Sequence, residues 1–334
     1  MKKRNHYYDN LKGFAIILVV VGHAIQNAFP YFDSILLFRL IYSFHMPLFM
    51  LISGIISYNS CEKYDLYWLK KRAYSLILPF VSWVIVPIFI RKEWSLLPDL
   101  AVKIVKSPDN ANWFLWVLFL NCFLLYCIYY LKRNCFDNVK NGIEVISILV
   151  CIAVWMLNKK FSYLGIGLLS WYCIFYLAGH FIAKYKAYLA MYKYYIGVIL
   201  TITWIFLAPY WRRAENPSYI GMIGGLVGKV LTHTIIEYNY LVGFAGTGMV
   251  MFVVYVLGKR FQLKVLNELG QRTIEIYILQ WFCFMFKFEN KILEIVLNTI
   301  FGILLPWLVA IIFEKKIETK LLFGKGNFID SNAS

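Results

Sequence analysis

Charge is what this sequence has least of. Only 16% of its 334 residues are Asp, Glu, Lys or Arg, whereas 61% are hydrophobic and 19% aromatic; a soluble domain carries about 25% charged residues. A chain so poor in charge cannot cover a water-facing surface, and lipid is its expected solvent. Soluble-enzyme signatures are missing too: no G-x-G-x-x-G after a strand pattern, no Walker A sequence, no H-E-x-x-H and no G-x-S-x-G. Any chemistry must use groups at membrane depth. The seven cysteines, Cys61, Cys122, Cys127, Cys135, Cys151, Cys173 and Cys283, form no C-x-x-C pair, and most lie in apolar runs. They read as buried thiols rather than disulfides or metal ligands, and no metal site is expected. No polar stretch is left for a separate globular domain.

What the chain has in abundance is apolar runs long enough to cross a hydrocarbon core of about 30 Å, roughly 20 residues of helix each. Ten spans are expected, at 12–30, 35–58, 73–90, 113–131, 142–157, 163–183, 192–210, 238–257, 273–287 and 292–313. The fold class is therefore all-α, a polytopic membrane helix bundle of about ten transmembrane helices. It reads as one integral-membrane domain over 1–334, with 314–334 a cytoplasmic tail. Lys2, Lys3 and Arg4 before the first run resemble a signal peptide, but the run is long and no small-residue cleavage site follows, so a retained helix is expected. The glycine-rich stretch Gly221 to Thr232 is apolar but short. Re-entrant and interfacial readings are both open there, and its Gly221/Gly225 and Gly224/Gly228 spacings suit close helix packing.

The net charge of +16 raises the possibility of a nucleic-acid partner. The basic residues sit between apolar runs instead of forming a stripe with interleaved aromatics, so nucleic acid is not expected. With the N-terminus inside, the inner connections carry about twice as many Lys and Arg as the outer ones, which predicts that both termini are cytoplasmic.

Ionisable groups in the spans are costly unless they face a cavity or partner, so each is a candidate for function. His23 lies eleven residues beyond Lys12, about 16 Å along its helix at 1.5 Å per residue, and His45 lies eleven residues past Ser34 on a helix running the other way. The two are expected at nearly the same level, near the midplane, where a neutral imidazole suits proton transfer. Hydrogen bonding to a neighbouring helix is the plainer alternative for each. Asp9, at i−3 from Lys12, either holds that lysine or marks the start of the helix. Glu275, beside Tyr277, is a buried carboxylate candidate or an ion-pair partner of Arg272 at i−3. His180 reads as structural. Arg212, Arg213, His233 and Glu237 either line an outward pocket for a polar acceptor or form a solvated loop.

The run Tyr8-Asp9-Asn10-Leu11-Lys12-Gly13-Phe14 through Gly22-His23 resembles the opening of the integral-membrane acyltransferase 3 family, in which ten positions separate a basic residue from a histidine. Phe44-His45-Met46-Pro47-Leu48-Phe49 with Ile52-Ser53-Gly54 is similar to that family's second helix. Lys71-Arg72 before Leu78-Pro79-Phe80, Trp113-Phe114-Leu115, and Leu269-Gly270 through Ile276-Tyr277-Ile278-Leu279 extend the likeness over nearly the whole chain. Three departures stand out: Lys12 where arginine is frequent, Gln280 where many members carry histidine, and Ser75 where some complete an Arg-x-x-Arg with Arg72.

The resemblance implies a membrane O-acyltransferase, a transferase moving an acyl group, commonly acetyl, from coenzyme A to a glycan hydroxyl. It makes acetyl-CoA the acyl donor, a glycan or lipid-linked sugar the acceptor, and the bacterial inner membrane the location. The acceptor class is a surface polysaccharide such as O-antigen or exopolysaccharide. His23 maps onto the catalytic base, with His45 orienting it or handling a second proton. Lys12, Lys70, Lys71 and Arg72 would attract the donor's phosphates, Trp113, Arg212, Arg213, His233 and Glu237 would meet the acceptor, and Asp9, Glu275 and Tyr277 would orient. The rival reading is an exporter or flippase of a polysaccharide or lipid-linked sugar; against it, no repeat relates the two halves. A glycan polymerase would be expected to carry a larger charged outer loop than 91–112 or 211–237.

Overall fold

Every regular element among the described residues is a helix, as a lipid solvent demands, because each backbone N–H and C=O must be satisfied within the chain. The structure is a computed structural model and describes residues 5–60, 63–106, 112–136, 138–139, 141–158, 161, 163–213, 235–314 and 317–325. In order these form α1 (His6–Ala28), α2 (Leu36–Tyr42), α3 (His45–Ser60), α4 (Leu66–Arg91), α5 (Leu97–Lys106), α6 (Trp113–Cys135) and α7 (Gly142–Asn158). Then come α8 (Ile166–Lys184), α9 (Lys186–Leu207), α10 (Ile235–Arg260), α11 (Lys264–Gln271), α12 (Thr273–Leu279), α13 (Lys291–Phe313) and α14 (Ile317–Leu322).

Eight stretches are long and apolar enough to cross a membrane: α1, α2 with α3, α4, α6, α8, α9, α10 and α13. The 17-residue α7 is a shorter apolar helix. Of the ten expected spans, 35–58 is interrupted by a turn at Ser43 and Phe44 between α2 and α3, and 273–287 loses helix altogether in its second half. There α12 passes into a 3₁₀ turn over Gln280–Cys283 and then into non-helical backbone. Side chains of α13 satisfy that backbone. Asn298 accepts from the Phe286 N–H at 3.1 Å and donates to its carbonyl at 3.1 Å, while the fully buried Glu294 accepts from the Phe288 N–H and pairs with Lys287 and Lys291. Short helices also occupy two expected connections, α5 within 91–112 and α11 within 258–272. The glycine-rich stretch Gly221 to Thr232 lies outside the described residues.

The helices gather into two compact units, one of Met1–Ile52 with Lys184–Ala310, the other of Ser53–Ala183 with Ile311–Ser334. In the first, α1 and α11 meet at backbone distance: a Cβ on Gly13 would collide with the Leu266 carbonyl, and one on Gly270 with the Asp9 carbonyl. Gly197 and Gly248 similarly give room to Phe252 and Leu200 where α9 packs on α10. In the second unit, Gly54 of α3 abuts the Tyr176 carbonyl of α8. Pro79 has no N–H for the carbonyl of Ser75, four residues back in α4. Gly324, at φ +64, closes against that Ser75 backbone, and Trp83 donates to the Leu322 carbonyl at 3.0 Å. Residues 317–325, which include α14, are thus docked onto α4.

The α1–α11 contact predicts that Gly13→Val and Gly270→Val each lose folded protein, since overpacking typically costs about 1–3 kcal/mol and here the obstacle is backbone. Gly258→Ala, whose added Cβ would meet only Leu263 at 4.0 Å, should be neutral. Thermal unfolding in detergent, followed by the monodisperse fraction, checks both. Normal melting of the two valine variants would contradict the packing described.

Candidate active site

His23 sits near the last third of α1, half-buried, and its surroundings fix its proton. Gln280, fully buried in the 3₁₀ turn after α12, donates its Nε2 to the Tyr277 carbonyl at 2.8 Å. That bond leaves Gln280 Oε1 facing His23 Nδ1 at 3.1 Å. An amide oxygen can only accept, so Nδ1 carries the hydrogen and Nε2 keeps a bare lone pair. Trp281 covers the ring, with centroids 4.5 Å apart at 34°. Among the described residues the imidazole is therefore met by a neutral amide and an indole, and its free nitrogen is ready to accept a proton.

His45 is held by the same logic through a different partner. Counting from Ser34 places it in mid-helix, but the chain turns at Ser43 and Phe44, and His45 begins α3. Its Nδ1 donates to the Ile41 carbonyl at 3.0 Å, again leaving Nε2 bare. Ser43 and Trp204 secure the turn: Ser43 Oγ donates to the Leu40 carbonyl at 2.8 Å and accepts from Trp204 Nε1 at 3.2 Å. Tyr42 links the two histidines' surroundings. Its ring lies 4.4 Å from that of His45, it fills the space above Gly22, next to His23, and its hydroxyl donates to Gln26 Oε1 at 2.7 Å.

At the start of α1, Lys12 pairs with the buried Asp9 at 2.8 Å. Gly270 touches the Asp9 backbone, so this pair, His23 and Gln280 all belong to the first unit. Glu275 is buried in α12 and Tyr277 supplies the carbonyl that orients Gln280. Arg272 pairs with Glu268 at 2.5 Å. Arg212 Nη1 donates to the Trp211 carbonyl at 3.1 Å, and Arg213 is exposed. His233 lies outside the described residues, as does the side chain of Glu237.

The remaining candidates belong to the second unit. Lys70 and Lys71 are exposed in α4, and Arg72 lies over Trp68, 5.5 Å from the ring centroid. Trp113 stacks on Tyr172 at 5.3 Å. His180 is fully buried, with Tyr129 Oη 3.0 Å from Nε2 and Tyr64 Oη 3.5 Å from Nδ1, an arrangement that occupies both ring nitrogens.

Gln280 is the residue that sequence reasoning saw only as a departure; a lone amide in the apolar run Tyr277 to Phe284 was the available signal. Its contact with His23 predicts a single Nδ1–H tautomer. In ¹⁵N-histidine spectra, Gln280→Met should convert His23 from one tautomer to a mixture while leaving His45 unchanged. A wild-type His23 with bare Nδ1 would refute the assignment.

Residues 5–314 match the family model for this acyltransferase domain. Nodulation protein NolL of Mesorhizobium japonicum is 25% identical over 299 residues, covering 83% of this chain and 76% of that protein. Nodulation protein NolL of Sinorhizobium fredii is 38% identical over 85 residues, 24% of this chain and 23% of that protein. No solved structure matches the chain. Because the family match runs from the residue that caps α1 to the end of α13, through every apolar helix and both histidines, the chain belongs to the acyltransferase 3 family and is a multi-pass membrane acyltransferase.

Proposed function

We propose that the chain transfers acetyl from acetyl-CoA to a hydroxyl of a bacterial surface polysaccharide, with O-antigen or exopolysaccharide as the acceptor class, in the inner membrane. The observation that carries this reading is the His23–Gln280–Tyr277 relay, which presents a neutral imidazole with a bare Nε2. Acyl transfer from a thioester to an alcohol needs a base that takes up a proton without itself being ionised at rest. On this reading Nε2 accepts the hydroxyl proton as the sugar oxygen attacks the thioester carbonyl. The carbon–sulfur bond then breaks, and the imidazolium returns the proton to the departing thiolate. An O-acetyl ester and free coenzyme A result, and the base is regenerated.

Gln280 acts as the positioning residue, and His45 supplies a second bare Nε2 for a further proton or a hydroxyl contact. The donor's phosphates would draw on Lys12 and on Lys70, Lys71 and Arg72. Lys12 reaches them with its ammonium already engaged by Asp9, and as a lysine it contributes a point charge instead of a bidentate fork. The excess of basic residues in the inner connections supports placing both termini in the cytoplasm.

The test is coenzyme A release from acetyl-CoA by membranes carrying the wild-type chain, with envelope glycan extracts as acceptor. His23→Ala should lower glycan-dependent release by about 10²- to 10⁴-fold, the usual worth of a general base. Gln280→Met should lower turnover by about tenfold or more, with little change in the KM for donor. Undiminished turnover in His23→Ala at equal expression would move the base elsewhere, and the absence of release with every acceptor would overturn the acetyl-CoA reading.

A further inference from the structure

Outside the histidine site, the first unit carries a second cluster of titratable groups, where the start of α9 meets the end of α10. Tyr194 and Tyr255 lie there with ring centroids 6.1 Å apart at 66°. Two ammonium groups share these rings. Lys193 Nζ is 5.5 Å from the Tyr194 centroid and 4.9 Å from that of Tyr255, and Lys259 Nζ is 5.6 Å and 4.9 Å from the same two. Lys259 also donates to the Tyr194 hydroxyl at 2.9 Å. Tyr255 is braced from behind by Tyr7 of α1, edge-on at 6.4 Å, whose own hydroxyl donates to the Met251 carbonyl at 2.8 Å.

Three features make this more than a solvated basic face. Both ammoniums stand 4.9 Å from one centroid, so they lie within about 10 Å of each other, no farther than the Debye length at about 0.1 M salt. Neither has a carboxylate partner among the described residues. Both are exposed, on helices apolar and long enough to span. Around them the outward face of α9 is lined with tyrosine: Tyr188 and Tyr195 are 64% and 74% exposed. Exposed tyrosines at the end of a spanning helix mark headgroup level, where lysine stems reach out of the apolar region. Two unneutralised cations on an aromatic floor at that level call for an anion, and each ammonium keeps N–H donors that the tyrosines do not use.

We propose that Lys193 and Lys259, on the floor of Tyr194 and Tyr255, form a binding site for the phosphate of an anionic phospholipid. Zwitterionic lipids are disfavoured because their own cation would meet the two ammoniums. The site stands on α9 and α10 alone and does not depend on the acetyl-transfer reading.

The experiment uses the full chain purified from vesicles of phosphatidylcholine with or without phosphatidylglycerol, with retained lipid counted by native mass spectrometry. The wild type should retain phosphatidylglycerol in preference to phosphatidylcholine, less so at high salt. Lys193→Gln and Lys259→Gln should each weaken retention about fivefold, the effect of one basic side chain near an anionic surface, and Lys193→Arg and Lys259→Arg should keep it. Acetyl-CoA and inorganic phosphate binding should be unchanged in the glutamine variants. Equal retention of both lipids, or unchanged retention in both glutamine variants, overturns the proposal. So does a loss of acetyl-CoA or inorganic phosphate binding without a loss of lipid, which would assign the cluster to a soluble phosphate.

Discussion

Two helices touching backbone to backbone set the geometry of the first unit. Glycine at 13 and at 270 lets α1 and α11 approach until carbonyls take the space a side chain would need. That contact fixes more than a packing distance. The Asp9 side of α1 is buried against α11, which seats Lys12 on its carboxylate. One residue beyond α11, the chain enters α12, and the first residue after α12 is Gln280, which meets His23. The tautomer of an imidazole in α1 therefore depends on two positions that lack any side chain at all.

Much of this was legible in advance. Long apolar runs dictate long helices because lipid leaves the backbone no other partner, and the C-terminal ends of α1, α4, α10 and α13 lie close to those expected, whereas α1 and α4 begin well before the expected starts, at His6 and Leu66. The spacing of Lys12 and His23 on one helix was likewise readable. The stretch 273–287 was not. Its apolar content is that of a span, and what keeps its second half from being helical is a pair of polar side chains in α13, Asn298 and Glu294, that occupy the backbone groups of Phe286 and Phe288. Such a competition is decided by residues later in the chain and leaves no local trace. His45 shows the same limit, because residue counting runs through a turn at Ser43, whose hydroxyl accepts a hydrogen bond from the distant Trp204. Gln280 could be noticed as unusual, but its task is defined only by where Tyr277 and His23 stand.

The second unit uses its buried polar groups differently. His180 has tyrosine hydroxyls at both ring nitrogens, so its hydrogen-bonding capacity is consumed in holding α8 to the chain before α4 and to α6. His23 and His45 each spend only one nitrogen on support. The distinction between a histidine that braces and one that is left able to react is thus visible in the bookkeeping of lone pairs, and it could not have been drawn from burial, since His45 and His180 are both buried.

The support given to His23 is an amide and not a carboxylate, and this has a kinetic meaning. A carboxylate behind an imidazole would hold the cation that forms when a proton arrives, letting the charged ring persist. Gln280 can orient the ring but has no charge with which to keep that cation, and the apolar surroundings of α1 offer it no solvent shell. On the proposed chemistry, the protonated ring is therefore a fleeting species that must discharge to the leaving sulfur almost as soon as it forms. Bond formation to the acceptor and departure of the thiolate are accordingly tied closely in time, and a donor bound without an acceptor would find no waiting acid to trigger its wasteful breakdown.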